Sequence, residues 1–238
     1  MIYNEGYKTP LFLLLTHTQF MTDPNILSDD LSTISDKNAT TVYGMFMTPV
    51  GVKSLTNHQQ HKATILDYIS KLSPEDVTNS SRKDINSGVL QLGQLGLLNL
   101  EQFVTLKEDI IEAVVDINSQ SLCYDLGDNP NIIDDTLELT NKGGMYAPHE
   151  QSNCLYSATY FVNWDINLHS PLQFKRNVTS THYPVIQYNQ TQITPFNMLD
   201  GTVPITEGCL CLYPSNMVRG YQQNNEGNRI SLTFNIGL

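Results

Sequence analysis

Positive charge is scarce in this chain. Lys and Arg number 13 against 24 Asp and Glu, which gives a formal charge of −11 over 238 residues. No basic run exists, so a nucleic-acid backbone or an anionic membrane is not the expected partner, since both need clustered Lys and Arg. Long apolar runs are also missing. Leu11-Phe-Leu-Leu-Leu15 is the one strongly apolar block near the start, and it is too short to span a bilayer. It lacks the basic flank and small-residue cleavage site of a signal peptide, so secretion by that route is not expected. Cysteine is sparse: Cys123, Cys154, Cys209 and Cys211. Their spacing fits no paired C-x-x-C zinc pattern, and all four read as small buried hydrophobes of a reduced, intracellular protein. The N-x-S/T sequons at Asn38, Asn79, Asn177 and Asn189 then read as chance in a chain rich in Asn, Ser and Thr. Gly-rich phosphate loops are absent, and no nucleophile–base–acid arrangement stands out.

What is present falls into three stretches. Residues 1–42 read as an N-terminal extension or arm, because Thr22 to Thr41 is polar, carries Asp29-Asp30 and shows little periodicity. Residues 43–238 form the second unit. It opens with a strand over Gly44–Val52. A helix follows, capped at Thr56 and stapled by Leu55, reaching about Leu72 with Ile65, Leu66, Ile69 and Leu72 on one side. His58 and His61 stand one turn apart near its start. Without a third ligand nearby they read as surface polar residues rather than a metal pair.

Residues 73–87 read as loop. A second helix runs from Asn99 to about Ile117, with Phe103, Leu106, Ile110, Ile111, Val114 and Val115 as its apolar stripe. From Tyr124 onward the helical period gives way to alternating runs at 137–139, 156–162, 172–174, 183–188, 209–213 and 230–236. Lys142-Gly-Gly, Asp200-Gly201 and Glu226-Gly-Asn228 act as turn signals between them. Helices first and strands afterwards predict an α+β, mainly β domain: an antiparallel sandwich or barrel with helices packed on one face.

Two C-terminal motifs carry a resemblance. The first is His149-Glu-Gln-Ser-Asn-Cys-Leu-Tyr-Ser-Ala-Thr-Tyr-Phe161. The second is Pro204-Ile-Thr-Glu-Gly-Cys-Leu-Cys-Leu-Tyr-Pro-Ser-Asn-Met-Val-Arg219, followed by Arg229-Ile-Ser-Leu-Thr-Phe-Asn235. From Phe46-Met-Thr-Pro-Val-Gly51 to the end, about 190 residues, the chain resembles the 2-oxoglutarate/Fe(II)-dependent oxygenases of marine bacteriophages, especially those of cyanobacteria. The family's motifs read H-x-H-P-N-S-x-L-S-G-V-Y-Y and P-x-x-G-x-L-x-L-F-P-S-W-L-x-H, then R-I-S-x-x-F-N. The resemblance implies a double-stranded β-helix, or jelly roll, with packed helices and the N-terminal arm added.

The scaffold letters match and the metal letters do not. A non-haem iron oxygenase needs two histidines and a carboxylate. The corresponding positions here hold His149, Gln151 and Arg219, so a degenerate site without bound metal is expected. On a strand, residues 149 and 151 share a face and Glu150 points away. Gln151 offers only a neutral carbonyl oxygen. Arg219 stays protonated and has no lone pair to donate. At about 4 Å and an effective dielectric of about 20 it repels each unit of cation charge by roughly 4 kcal/mol. His169, His182 and Asp165 lie outside the motifs, and a rearranged site built on them is the remaining route to a metal.

Arg229 stands where the family's arginine clamps the distal carboxylate of 2-oxoglutarate, with Ser231 on the same strand face. It is either a retained carboxylate clamp or an arginine kept for packing and strand pairing. Three readings follow. The first is a non-catalytic, oxygenase-fold assembly component, a pseudoenzyme of a phage virion (neck, tail, baseplate or fibre attachment), located in the virion or host cytoplasm. Its partners would be other protein subunits in an oligomer, with no cofactor. The second is an active hydroxylase with atypical ligands, using Fe(II) and 2-oxoglutarate. The third is a metal-free carboxylate or anion binder using Arg219 and Arg229.

Overall fold

Alternation with a period of two decides the architecture. In Arg229-Ile-Ser-Leu-Thr-Phe-Asn-Ile236 every second residue is apolar, and successive side chains of a strand point to opposite faces. The computed structural model describes residues 48–79, 87–127, 130–175 and 200–237. It contains β1 (Gly51–Ser54), α1 (His58–Ser70), β2 (Val77–Asn79), β3 (Ser87–Leu92), α2 (Val104–Ser119), β4 (Ile132–His149), β5 (Tyr156–Asn163), β6 (Gln173–Lys175), β7 (Asp200–Thr202), β8 (Cys209–Pro214), β9 (Val218–Tyr221) and β10 (Arg229–Ile236). The described strands run in the order β1-β8-β5-β10-β4-β9-β6-β7, with β3 also on β4 and β2 on β3. Every pairing is antiparallel. This is a mainly β, curled antiparallel sheet of the double-stranded β-helix kind with two helices packed on it.

One face is apolar throughout. Leu210 and Leu212 of β8, Tyr156, Ala158, Tyr160 and Val162 of β5, Ile230, Leu232, Phe234 and Ile236 of β10 and Leu137 of β4 meet Ile65 of α1 and Leu106, Ile110, Val114 and Ile117 of α2. Each fully buried Leu, Ile or Phe contributes roughly 2 kcal/mol of transfer free energy there. The other face is divided. Cys209, Cys211, Tyr213, Phe161, Phe174 and Trp164 form a second apolar cluster, and beside it the alternate residues are polar. Cys209 and Cys211 share that face, as their spacing predicts. The cysteines are unpaired, but Cys123 is exposed and Cys154 half-buried, so the reading of all four as buried fails for these two.

β4 turns the corner of the fold. Its first half pairs with β10 and β3, and its last residues pair with β9. Lys142-Gly-Gly, read as a turn, lies inside this 18-residue strand. The two glycines permit the bend: Gly143 takes φ +73, and a Cβ on Gly144 would come within 2.8 Å of the Gly88 carbonyl oxygen. Asp200-Gly201, also read as a turn, forms the first two residues of β7.

The helices begin later than their sequence signals. α1 starts at His58 after Asn57, not at Thr56, and Leu66 is exposed. α2 starts at Val104 after two 3-10 turns, Leu97–Asn99 and Glu101–Phe103, and Val115 is exposed. Those turns are held by Asp135, which is 3% exposed and accepts from the N–H groups of Leu97 (2.9 Å) and Leu98 (2.7 Å). Asp135→Ala strands two buried donors. We expect a loss of about 3 kcal/mol, read as a lower denaturant midpoint at unchanged slope.

His58 and His61 are buried rather than surface residues. His58 bonds Tyr160 Oη (2.7 Å) and Glu207, and His61 bonds Asp109 (2.6 Å). The segment 73–87, read as loop, contains β2. The arm 1–42 with its apolar block, the strand 183–188, His182 and the sequons at Asn38, Asn177 and Asn189 lie outside the described residues. Among the described residues no helix is long and apolar enough to cross a membrane.

Candidate functional site

The polar half of the inner face lines a cavity of about 330 Å³. Six strands supply it by the same alternation: Gln91 from β3, Thr136 and Glu138 from β4, Thr159 from β5, Tyr213 from β8, Arg219 and Tyr221 from β9, and Arg229, Ser231, Thr233 and Asn235 from β10. Many of these groups satisfy one another across strands. Ser157 Oγ donates to Asn235 Oδ1 (2.8 Å), Thr159 pairs with the Tyr213 hydroxyl (3.2 Å), and Thr140 pairs with the Tyr221 hydroxyl (2.8 Å). Such pairing removes the cost of burying hydroxyls and amides.

Arg229 is the exception. It is 0% exposed, yet its Nε and Nη1 are buried without a hydrogen-bond partner. Its guanidinium stacks 3.6 Å above the Tyr221 ring and 5.8 Å from that of Phe161. A desolvated cation over an aromatic face gains about 2 kcal/mol, which does not replace the lost hydrogen bonds. Burial accordingly pushes the Arg229 pKa down. The five positions singled out in the sequence, His149, Gln151, Arg219, Arg229 and Ser231, all line this cavity.

The three metal positions are close but chemically mismatched. His149 and Arg219 are register partners between β4 and β9. Gly220 allows the approach, since a Cβ there would stand 2.6 Å from the Tyr146 carbonyl oxygen. Arg219 Nη1 donates to the His149 carbonyl oxygen (3.3 Å), and the guanidinium lies 5.7 Å from the Tyr213 ring centroid. His149 Nδ1 donates to the carbonyl oxygen of Ala147 (2.9 Å). β4 ends at His149, so Gln151 does not share a strand face with it. Gln151 is held by its own N–H on the Ser215 carbonyl (2.9 Å). Glu150 is exposed and outside the lining.

One imidazole, one amide and one guanidinium do not fit iron. Among the described residues no three His, Cys, Asp or Glu come together as a metal-holding group. His169 uses both ring nitrogens, with Nδ1 accepting from the Asp165 N–H (3.1 Å) and Nε2 donating to the Gly227 carbonyl (3.0 Å). A rearranged site on Asp165 and His169 therefore has no imidazole nitrogen to offer.

Glu138 was not singled out in the sequence. It is 4% exposed and faces the cavity beside Ser231, its register partner on β10. Burial raises its pKa to about 7, against the lowering pull of Arg229 and then Arg219. The signal was available: a lone acid between Leu137 and Leu139, in a strand whose polar alternates Thr136 and Thr140 share its face.

The fold is that of the 2-oxoglutarate/Fe(II) oxygenases. The chain is similar to many solved structures, among them a prolyl-4-hydroxylase of Pseudomonas putida (TM-score 0.54, 13% identity, 81% of this chain and 94% of that one), HygX of Streptomyces hygroscopicus, solved with nickel and 2-oxoglutarate (0.55, 10%, 80% and 83%), and an oxidoreductase of the 2OG-Fe(II) oxygenase family from Burkholderia pseudomallei (0.52, 8%, 79% and 84%). No family model matches the sequence, and no curated protein does. At such identities the likeness defines the fold and leaves the chemistry to the site.

Proposed function

We propose that this chain is a non-catalytic protein on the oxygenase fold whose cavity holds a small carboxylate without metal. The observation that carries the reading is Arg229, a fully buried guanidinium with two unpartnered nitrogens facing a polar cavity. A buried cation left without partners costs several kcal/mol, and a carboxylate offers the planar pair of acceptors that a guanidinium fits. Arg219 adds a second positive group to the same cavity. The donor set at His149, Gln151 and Arg219 argues against iron-dependent turnover. An assembly role in a virion rests on the resemblance alone, and Arg229 favours binding over it.

The test is calorimetric titration of the full chain with glutarate in the presence of a chelator. Saturable heat is expected, unchanged when Fe(II) replaces the chelator, and no succinate forms from 2-oxoglutarate. Absence of heat, or binding that requires Fe(II), overturns the reading.

A further inference from the structure

We infer that the ligand is a zwitterion of the amino-acid class, with its carboxylate on Arg229 and its ammonium on Glu138. This rests on the carboxylate reading above and names the ligand within it. The two side chains sit one diagonal apart. Ser231 is opposite Glu138 and Arg229 is opposite Thr140 on the neighbouring strands β10 and β4. Diagonal neighbours on one sheet face are separated by roughly 7–8 Å at Cα. Buried opposite charges at that spacing ordinarily close on each other.

Here they do not. The ion pairs among the described residues involve Lys53, His58, His61, Lys62, Lys71 and Lys142, and neither Arg229 nor Glu138. Two buried Arg229 nitrogens have no partner, and the Glu138 carboxyl has no cation within ion-pair distance among the described residues. Both line the same cavity and both are more than nine-tenths buried. Arg229 is held back by its stacking on Tyr221 (3.6 Å), whose hydroxyl is tied to Thr140 (2.8 Å). The gap between the two groups is therefore kept open by the wall itself.

Charge balance selects the occupant. A dicarboxylate or an oxo acid satisfies Arg229 but brings negative charge toward Glu138, which can accept it only by holding a proton. An α-amino acid brings one charge of each sign, a few ångströms apart, and gives each buried group the partner it lacks without changing the total charge of the cavity. Gln91, which pairs with Glu138 from β3, lines the same side and offers a further amide to the ligand.

The experiment compares ligands that differ only at this group: L-glutamate against 2-oxoglutarate, and L-alanine against pyruvate. Each is titrated calorimetrically into the full chain at pH 8 with chelator. Charge-assisted hydrogen bonds contribute about 1.5–3 kcal/mol, so within at least one pair the amino member should bind about 10- to 100-fold tighter. Glu138→Gln should erase that preference while the oxo member binds as well or better. Equal binding within both pairs, tighter binding of the oxo members, or an unchanged preference in E138Q overturns the zwitterion and leaves the carboxylate reading standing. No binding by any of these acids or by glutarate overturns both.

Discussion

Arg229→Met should abolish glutarate binding while leaving the protein at least as stable as the parent. The guanidinium would supply a bidentate contact, and two charge-assisted hydrogen bonds of about 1.5–3 kcal/mol each make the loss at least about 100-fold. Stability behaves differently because Arg229 is already under-satisfied in the free protein. Methionine matches its length, packs against Tyr221 and Phe161, and carries no charge to desolvate. Replacing a buried ion by an apolar residue of similar volume is often neutral or stabilising. Calorimetry with thermal melting checks both halves. A lower melting temperature, with no glutarate binding to either protein, would mark Arg229 as a packing residue.

Glu138 governs a second large effect, this time on pH. Its pKa is about 7 in the fold against 4.5 for the ordinary group. Between those values the folded protein keeps a proton that the unfolded chain has released. The Glu138 contribution to the stability of the ligand-free protein therefore falls as pH rises from about 4.5 through about 7, and is constant on either side. The difference corresponds to about 3 kcal/mol. The groups that bear on this carboxyl are Arg229 from β10, Arg219 and Tyr221 from β9 and Gln91 from β3. The two arginines favour ionisation, and burial outweighs them.

Asp76, Asp116 and Glu207 have lowered pKa values, so their contributions change below the ordinary carboxylate range rather than in this window. Glu138→Gln should be level with the parent near pH 4.5 and more stable by about 3 kcal/mol at pH 8. That is a gain of about 6–12 °C in melting temperature for a domain of this size. Melting curves from pH 4.5 to 8 on both proteins decide it, and parallel curves would show that Glu138 is not the titrating group.

The strands that build the cavity were legible because their signal is local. Alternation over 156–162, 209–213 and 230–236 places β5, β8 and β10, and the motif spacing brings His149, Gln151, Arg219, Arg229 and Ser231 to one cavity. Elements whose identity depends on distant partners were not legible. β7 and the bend in β4 carry glycines that read as turns, but β6 pairs along β7, and β4 runs on past its bend because Gly143 and Gly144 exchange backbone hydrogen bonds with Asn224. β2 lies in a polar stretch and exists because β3, itself paired to β4, offers it an edge. Glu138 escaped notice for a related reason. Its polar face is visible in the sequence, but its isolation depends on where the Tyr221 ring holds Arg229.

The strict two-faced division of β10 also constrains how this protein can change over evolutionary time. Inserting or deleting a single residue between Arg229 and Ile236 would exchange the two sets of side chains, sending Ile230, Leu232 and Phe234 inward and Arg229 and Ser231 under the helices. Along this strand, lineages of this chain can therefore explore new binding chemistry by exchanging Arg229, Ser231, Thr233 and Asn235, while the length of the strand stays frozen.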